Sequence, residues 1–398
     1  MSEWKETTLG ELVTFQRGHD LPKTEFNDGE YPILGSNGII GYHNEYTTEG
    51  AGITIGRSGN IGNPFYTESK FWAHNTTLYV KEFHNSFPKF VFYFLKTIDF
   101  QSFNSGSAVP SLNRNYIHPF PIFVPEDIEE QKRIADVLSC LDAKIDKLRR
   151  QNETLEQIAQ TLFKHWFIDF DFPNADGKPY KSSGGAMVAS ELGDIPEGWK
   201  VGKLKDISDI TSSKRIFSAE YVESGIPFYR SKEIIELHAG QNVTTELYIS
   251  EEKFNEIKSK FEVPKADEIL LTSVGTIGVP YLIKKSDQFY FKDGNLTWIK
   301  RFKNGFSGVV IYYWLKSEST QAKIKQNTIG STQKALTIQA LGNISIFIPD
   351  TKTLNRYTEF IKIVNSKIEN NIYQIQTLTK ARDSLLPKLM SGQLRVKE

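Results

Sequence analysis

The sequence predicts an α+β chain in which two mixed α/β lobes are joined by a long antiparallel two-helix coiled coil. Two observations lead to this fold class: the N-terminal half recurs in the C-terminal half, and a long heptad-patterned segment follows each copy. The 398 residues, 39% of them hydrophobic, are sufficient for two separate cores. The predicted order is a first lobe at 1–126, a first long helix at 127–170, a linker at 171–195, a second lobe at 196–350, a second long helix at 351–392 and a tail at 393–398.

The internal repeat is as large as a domain and predicts a pseudo-twofold molecule. Each copy begins with a Trp-Lys pair and ends with a short apolar stretch and a proline. The most similar segments are 53–62 with 269–278, 75–81 with 295–300, 91–96 with 311–316, and 122–125 with 346–349. The copies differ most at 214–265, where the second has extra residues. Each copy predicts short strands, Gly/Asn turns, a short aromatic helix and a closing strand.

Both long segments carry an apolar heptad seam, and the first predicts a helix about 60 Å long. The first seam consists of Ile134, Leu138, Leu141, Ile145, Leu148, Asn152, Leu155, Ala159, Leu162 and Trp166. The second seam consists of Leu354, Tyr357, Ile361, Val364, Ile368, Asn371, Ile375, Leu378, Arg382, Leu385 and Leu389. Such a pair of seams predicts that the two helices pack against each other within one chain.

One asparagine in each seam predicts the register of the antiparallel pair. Two facing asparagines can satisfy each other, whereas a buried asparagine opposite an apolar residue costs stability. Setting Asn152 opposite Asn371 also aligns the other apolar positions, with Arg382 opposite Leu141 as the exception. We expect Arg382 to extend its charged end to the edge of the pair.

Composition excludes several classes of protein. We expect a cytoplasmic protein that does not enter a membrane, because there is no N-terminal signal region and no run of eighteen apolar residues. A single cysteine, Cys140, excludes an internal disulfide framework and a Cys-rich zinc site. Residues 1–126 carry 9 Lys and Arg against 13 Asp and Glu, and residues 196–350 carry 21 against 18. Neither lobe is therefore basic enough to hold nucleic acid by charge alone.

No motif predicts catalysis by this chain. The GRSGNIG segment at 56–62 lacks the ending of a phosphate-binding loop, so a tight turn between strands is the better interpretation. The segment 63–66 lacks the second proline of an amino-methyltransferase motif, and Pro349-Asp350 lacks the Glu-x-Lys of a nuclease and predicts a helix N-cap. The seven histidines have no ligand-like spacing. We predict no catalytic residue and no metal site.

The polar residues of the loops are suited to DNA. Arg and Lys match guanine, Asn and Gln match adenine, and Ser and Thr are typical phosphate contacts. In the first lobe the candidates are Arg17, Lys23, Ser36, Asn37, Arg57, Ser58, Asn60, Ser107 and Arg114. In the second lobe they are Lys214, Arg215, Arg230, Ser231, Lys232, Ser273, Thr276, Ser331, Gln333 and Lys334. A solvated surface role is about as plausible for any single one, but equivalent loops in two lobes favour a shared function.

Three phrases carry a family resemblance: QKRIA at 131–135, LDAKID at 141–146 and LLPKLMSG at 385–392. With the two variable lobes, they make the whole chain resemble the specificity subunit of a type I restriction-modification enzyme. One departure is LNRY at 354–357, which stands where the family usually repeats a Glu-Gln-x-x-Ile phrase. Exact symmetry of the partner-docking surfaces is therefore not implied.

The resemblance implies a non-catalytic subunit with two target-recognition domains, each for one half of a bipartite site in double-stranded DNA. The helices would fix the gap between the half-sites. It also implies two modification subunits, which carry S-adenosylmethionine and methylate adenine, and two restriction subunits, which carry ATP and Mg²⁺. No cofactor is expected on this chain. Partners that supply phosphate contacts agree with its neutral charge.

Three alternatives stay open. The chain could serve a type IIB-like or methylation-only system, which only the neighbouring genes or the co-purifying subunits would distinguish. A coiled-coil scaffold that never touches DNA would show no salt-dependent binding to a bipartite sequence. A stand-alone methyltransferase is disfavoured by the missing cofactor motifs.

Overall fold

The computed structural model describes residues 3–104, 110–241, 243–330 and 334–396. The chain divides into two compact units, Met1–Arg149 with Tyr373–Glu398, and Arg150–Ile372. Each unit therefore holds one lobe together with a part of both long helices. The first long helix, α4, is Ile128–Phe167, and the second, α11, is Thr351–Met390. Within the described residues, no helix has both the length and the apolar character needed to cross a membrane.

In its described residues, the lobe of the first unit has nine strands and three short α-helices. In chain order they are β1 (Trp4–Thr8), α1 (Leu9–Leu12), β2 (Val13–Arg17), β3 (Tyr31–Gly35), β4 (Gly38–His43), β5 (Gly52–Gly56), β6 (Pro64–Thr67), β7 (Trp72–Ala73), β8 (Thr77–Phe83), α2 (Pro88–Leu95), α3 (Arg114–Ile117) and β9 (Pro121–Pro125). The main sheet has the order β2-β8-β5-β6, a second has the order β4-β3-β7, and β1 pairs with β9. Every residue of β5 is buried, which explains its apolar sequence at the centre of the lobe.

The lobe of the second unit repeats this plan with extra elements. In chain order the unit contains β10 (Met187–Val188), β11 (Ile195–Pro196), β12 (Lys200–Lys203), α5 (Leu204–Ile207), β13 (Asp209–Thr211), β14 (Tyr221–Val222), β15 (Ile226–Tyr229), α6 (Ser231–His238), β16 (Tyr248–Ile249), α7 (Glu251–Lys260), β17 (Ile269–Thr272), β18 (Pro280–Leu282), β19 (Tyr290–Phe291), β20 (Leu296–Lys300), α8 (Gly308–Lys316), α9 (Glu318–Gln326), α10 (Ile338–Gly342) and β21 (Ser345–Ile348). Its main sheet, β13-β20-β17-β18, matches that of the first lobe strand for strand. The predicted internal repeat is thus a repeat of topology.

The long helices pack antiparallel within each unit. In the first unit, Leu138 of α4 shares a buried apolar cluster with Leu389 of α11. In the second unit, the rings of Phe163 and Tyr357 lie 5.9 Å apart, and Tyr357 donates a hydrogen bond to the carbonyl of Ala159. Residue numbers rise along one helix as they fall along the other, as the predicted register requires. The carboxylate of Asp350 accepts from the amide of Thr353, the N-cap expected at the start of α11.

The two seam asparagines meet in the second unit. Nδ2 of Asn371 donates to Oδ1 of Asn152 at 2.8 Å, which is the pairing that the register predicts. Asn371 is fully buried, and its own Oδ1 has no hydrogen-bond partner among the described residues. In the first unit, the guanidinium of Arg382 pairs with Asp142 at 2.7 Å and with Asp383. The Arg382 side chain therefore extends to the edge of the helix pair, as expected, and there it pairs with two carboxylates.

The asparagine pair leads to an asymmetric prediction. Asn152→Leu leaves the buried Asn371 amide without a partner, and we expect the free energy of unfolding to fall by about 2 kcal/mol. Asn371→Leu removes the unpaired Oδ1 and leaves the half-buried Asn152 close to water, so we expect a change of less than about 0.5 kcal/mol. Urea titration of the full chain measures both values. Equal losses from the two variants would contradict this assignment.

A segment after each long helix returns to the first tryptophan of its lobe. In the second unit, Phe172 stacks on Trp199 with ring centroids 5.1 Å apart. In the first unit, the guanidinium of Arg395 lies 4.6 Å from the Trp4 ring and donates to Glu130, which also accepts from Trp4. The predicted linker at 171–195 is therefore not wholly at the surface, because Phe172 within it is buried in the core.

Candidate nucleic-acid interface

The GRSGNIG segment forms the tight turn between β5 and β6. The amide of Gly62 donates to the carbonyl of Gly56, and Gly59 and Gly62 have φ of 80° and 82°, where a side chain would be strained. The amide of Arg57 donates to Thr76, and its carbonyl accepts from Leu112. The turn is therefore held between two other loops, and the interpretation as a tight turn is confirmed.

The second lobe contains the same turn between β17 and β18. The amide of Gly278 donates to the carbonyl of Thr272, and Gly275 and Gly278 have φ of 78° and 88°. Ser273 occupies the place of Arg57: its amide donates to Asn295 and its carbonyl accepts from Leu336. The duplication thus extends to individual hydrogen bonds. The carbonyls of Thr76 and Asn295 accept the equivalent hydrogen bond in the two lobes. Asn295 therefore corresponds in the structure to Thr76, and not to Asn75 as the sequence alignment suggests.

Two arginines of the first lobe lie in one polar network. Arg17, at the end of β2, donates to Asp20 at 3.1 Å, and the same carboxylate accepts a hydrogen bond from Nδ2 of Asn75. Arg57 donates to the carbonyl of Asn75 at 3.4 Å. The exposed Arg17 and the partly exposed Arg57 therefore share one network beside the turn of 56–62, and Asp20 and Asn75, which sequence reasoning missed, orient them.

The remaining candidates of the first lobe lie on several loops and turns. Ser36 and Asn37 form the turn between β3 and β4, and Nδ2 of Asn60 donates to Oδ1 of Asn37 at 2.9 Å. Ser58 lies in the turn of 56–62, and its amide donates to Thr76. Arg114, at the start of α3, is exposed and reaches the carbonyl of Phe15 at 3.5 Å. Lys23 is exposed at the start of a short 3₁₀ turn, and Ser107 lies outside the described residues.

The second lobe carries different polar candidate residues at equivalent positions of the fold. Arg215, in the loop after β13, is 67% exposed and donates to Asp293 at 2.7 Å. Lys214 lies with its ammonium 5.0 Å from the ring of Phe261. Thr276, in the turn of 272–278, and Lys334 are exposed. Lys214 and Arg215 follow β13 as Arg17 ends the equivalent strand β2, and Thr276 lies in the turn equivalent to that of Arg57. Both lobes therefore present polar side chains from equivalent positions of the fold.

Several candidates of the second lobe have internal partners. The structure does not support Ser273 as a DNA contact. The residue is 3% exposed, and its hydroxyl lies 2.6 Å from that of Thr297 in the interior of the lobe. Arg230 is committed to an ion pair with the buried Glu233. Ser231 donates to the carbonyl of Asn295, whereas Lys232 is exposed on α6. Ser331 and Gln333 lie outside the described residues.

A tyrosine ties each lobe to the long helices of its own unit. Tyr93 of α2 donates to Asp142 at 2.7 Å, and Tyr313 of α8 lies 3.1 Å from Glu156 and 3.3 Å from Asn365. The carboxylate of Glu156 also forms an ion pair with Lys316 of the same lobe helix. Burial raises the pKa of both tyrosines, so they remain neutral donors. The loops are therefore carried by lobes with directional contacts to the helices.

Comparison with known proteins identifies the family. A family model described as "Type I restriction modification DNA specificity domain" matches residues 1–157 and 196–379. The chain belongs to this family. The two matched segments contain both lobes, both duplicated turns and parts of both long helices. The resemblance inferred from the sequence phrases is thereby confirmed.

Individual relatives in the specificity family agree. The type I restriction enzyme MjaIX specificity subunit of Methanocaldococcus jannaschii is 31% identical over 334 residues, which cover 79% of this chain and 72% of that protein. The MjaVIII specificity subunit of the same organism is 24% identical, with 99% of this chain and 94% of that protein covered. The crystal structure of the type I restriction-modification S subunit from M. genitalium matches with a TM-score of 0.63 at 17% identity, covering 98% of this chain and 96% of that one. This last likeness concerns the fold.

Proposed function

We propose that this chain is the DNA specificity subunit of a type I restriction-modification system, with each lobe recognising one half of a bipartite target. The observation that carries the proposal is the duplicated turn, which in both lobes lies among exposed polar side chains within a chain of the specificity family. Hydrogen-bonding side chains on loops held by a rigid sheet are suited to base edges in the major groove.

The paired helices are proposed to set the distance between the two half-sites. The seam contacts and the Asn152–Asn371 hydrogen bond support one register of the helix pair. Hydrogen bonds from Tyr93 and Tyr313 attach each lobe to the helices of its own unit. A pseudo-symmetric reader places its half-sites about one helical turn of DNA apart. The chain then acts through geometry, and the chemical steps belong to other subunits.

The proposed partners are two modification subunits, with S-adenosylmethionine for adenine methylation, and two restriction subunits, with ATP and Mg²⁺. Assembly with subunits of a restriction-modification system follows from the family, and the numbers of copies are part of the proposal. The neutral net charge supports it, because partners that contact phosphates would supply the electrostatic part of DNA binding. The proposed place of action is the cytoplasm.

The experiment that tests the function is reconstitution with the modification subunits, followed by selection from random duplexes and by sequencing of methylated host DNA. We expect a bipartite consensus with a fixed gap and binding that weakens steeply with salt. A complex that selects no sequence would support a scaffold role instead. Modification without any co-purifying restriction subunit would indicate a methylation-only system.

Shortening the helices tests their role as a spacer. Removing one heptad from α4 and the facing heptad from α11 shortens the pair by about 10 Å, the length of about three base pairs. We expect the gap of the consensus to shorten while both half-sites keep their sequence. Methylated-site sequencing reads both quantities at once. Altered half-sites with an unchanged gap would contradict the spacer role.

A further inference from the structure

Two asparagines from different loops of the first lobe form one exposed hydrogen-bonded pair. Asn37 lies in the turn between β3 and β4, and Asn60 lies in the turn between β5 and β6. Nδ2 of Asn60 donates to Oδ1 of Asn37 at 2.9 Å, and both residues are exposed. The bond orients both amides and holds the two turns together.

Each amide keeps one group that this bond does not use at all. Among the described residues, the side chains of Asn37 and Asn60 hydrogen-bond only to each other. The bond uses one N–H of Asn60 and one lone pair of the Asn37 oxygen, so Oδ1 of Asn60 and Nδ2 of Asn37 take no part in it. The pair therefore presents a neighbouring acceptor and donor to whatever lies against this surface.

The free oxygen of Asn60 beside the free amino group of Asn37 is complementary to adenine. In the major groove adenine presents a donor, its N6 amino group, beside an acceptor, N7. Guanine presents two acceptors there, cytosine only a donor, and thymine an acceptor and a methyl group. We propose that Asn37 and Asn60 together recognise an adenine in the half-site of the first lobe, with Oδ1 of Asn60 accepting from N6 and Nδ2 of Asn37 donating to N7. This inference rests on the proposed function.

An apolar residue in the same hairpin strengthens the assignment. Ile39 follows Asn37 by two residues on the edge strand β4 and is 48% exposed. The thymine paired with an adenine carries a methyl group in the major groove, and apolar side chains recognise it. An exposed isoleucine two residues from Asn37 is thus suited to the thymine methyl group of the same A·T base pair.

The second lobe does not repeat this arrangement. Thr276 stands in the place of Asn60, and β15 leads through Arg230 into α6 instead of into a hairpin. The adenine contact is therefore a property of one lobe, so a change in the pair should alter one half of the target only.

The substitution Asn37→Asp separates recognition from structure. It keeps an oxygen that accepts from Asn60 and so preserves the link between the turns, but it replaces the free donor by an acceptor. Asn44→Asp is the matched control, because Asn44 is another exposed asparagine of the same lobe and the change of charge is the same. Both variants are assembled with the modification subunits, and base preference is measured by selection from random duplexes.

For Asn37→Asp we expect the preference for adenine at one position of one half-site to fall at least about tenfold, while the other half-site is unchanged. For Asn44→Asp we expect every base preference to be retained, whatever the loss of overall affinity. If the wild-type half-site has no adenine-selective position, or Asn37→Asp keeps the wild-type preference, the inference is overturned while the proposed function stands. If the wild-type complex selects no bipartite sequence, the proposed function fails and the inference fails with it.

Discussion

Replacing Tyr357 by alanine is expected to lower the free energy of unfolding by about 4 kcal/mol. Tyr357 is fully buried between the long helices of the second unit, where its ring lies 5.9, 5.8 and 4.9 Å from those of Phe163, Trp166 and Phe167. Its hydroxyl also donates to the carbonyl of Ala159. Truncation leaves a cavity among rigid rings that cannot move in to fill it, so the loss lies at the upper end for core aromatics.

Urea titration of the full chain, followed by tryptophan fluorescence, measures the effect of Tyr357→Ala. The second unit contains most of the tryptophans, including Trp166 next to the substituted ring. Tyr373→Ala on the same helix is the control, since Tyr373 is 69% exposed and should change stability by less than about 0.5 kcal/mol. Tyr357→Phe removes only the hydroxyl and should cost about 1 kcal/mol. Equal losses from Tyr357→Ala and Tyr373→Ala would contradict the helix packing described above.

The fold was predictable because it depends on periodic signals. A seam repeating every seven residues over about forty positions admits one type of packing, and one asparagine per seam selects one register. The repeat of the lobes was predictable because glycines such as Gly59 and Gly275 are required by the same positive φ in both copies. These signals come from the local backbone and from sequence spacing.

The candidate site was less predictable, because side-chain exposure in loops depends on contacts distant in sequence. Arg57 and Ser273 occupy the same turn position, yet Arg57 is partly exposed and Ser273 is closed off by Thr297. Asp20 and Asn75 are 55 residues apart and become partners only in the folded lobe. A sequence pattern identifies the loop, whereas the tertiary structure decides which of its side chains are exposed to solvent.

The departure at LNRY, 354–357, illustrates the same distinction. The sequence suggests a change in the docking surface, but Leu354 and Tyr357 are both fully buried in the core of the second unit. In the first helix the corresponding phrase contains Glu130, which accepts hydrogen bonds from Trp4 and Arg395. The first unit has a buried charged residue at this position, and the second unit has apolar and aromatic packing. The equivalent helix starts of the two units are therefore stabilised by different interactions.

Arg230→Ala is expected to lower the free energy of unfolding by about 3 kcal/mol, although sequence reasoning made Arg230 a DNA contact. Glu233 is 0% exposed. Its carboxylate accepts one hydrogen bond from the guanidinium of Arg230 at 2.7 Å and another from the backbone amide of Arg230 at 2.8 Å. Burial raises the pKa of this carboxyl, but the hydrogen bonds from Arg230 outweigh burial and hold the pKa below its ordinary value of 4.5. Without the guanidinium, the charge is buried and unpaired.

The pH dependence distinguishes this explanation from simple loss of packing. In the wild type the lowered pKa of Glu233 contributes stability above pH 4.5, which is lost as the pH falls through the folded-state pKa. In Arg230→Ala the burial that raises the pKa prevails, so protonation relieves the unpaired charge and the difference from wild type should shrink as the pH falls below 4.5. Lys232→Ala, at a 64% exposed position of the same helix, should change stability by less than about 0.5 kcal/mol at any pH. If Arg230→Ala weakens DNA binding with its stability unchanged, Arg230 belongs to the interface and the ion pair is incidental.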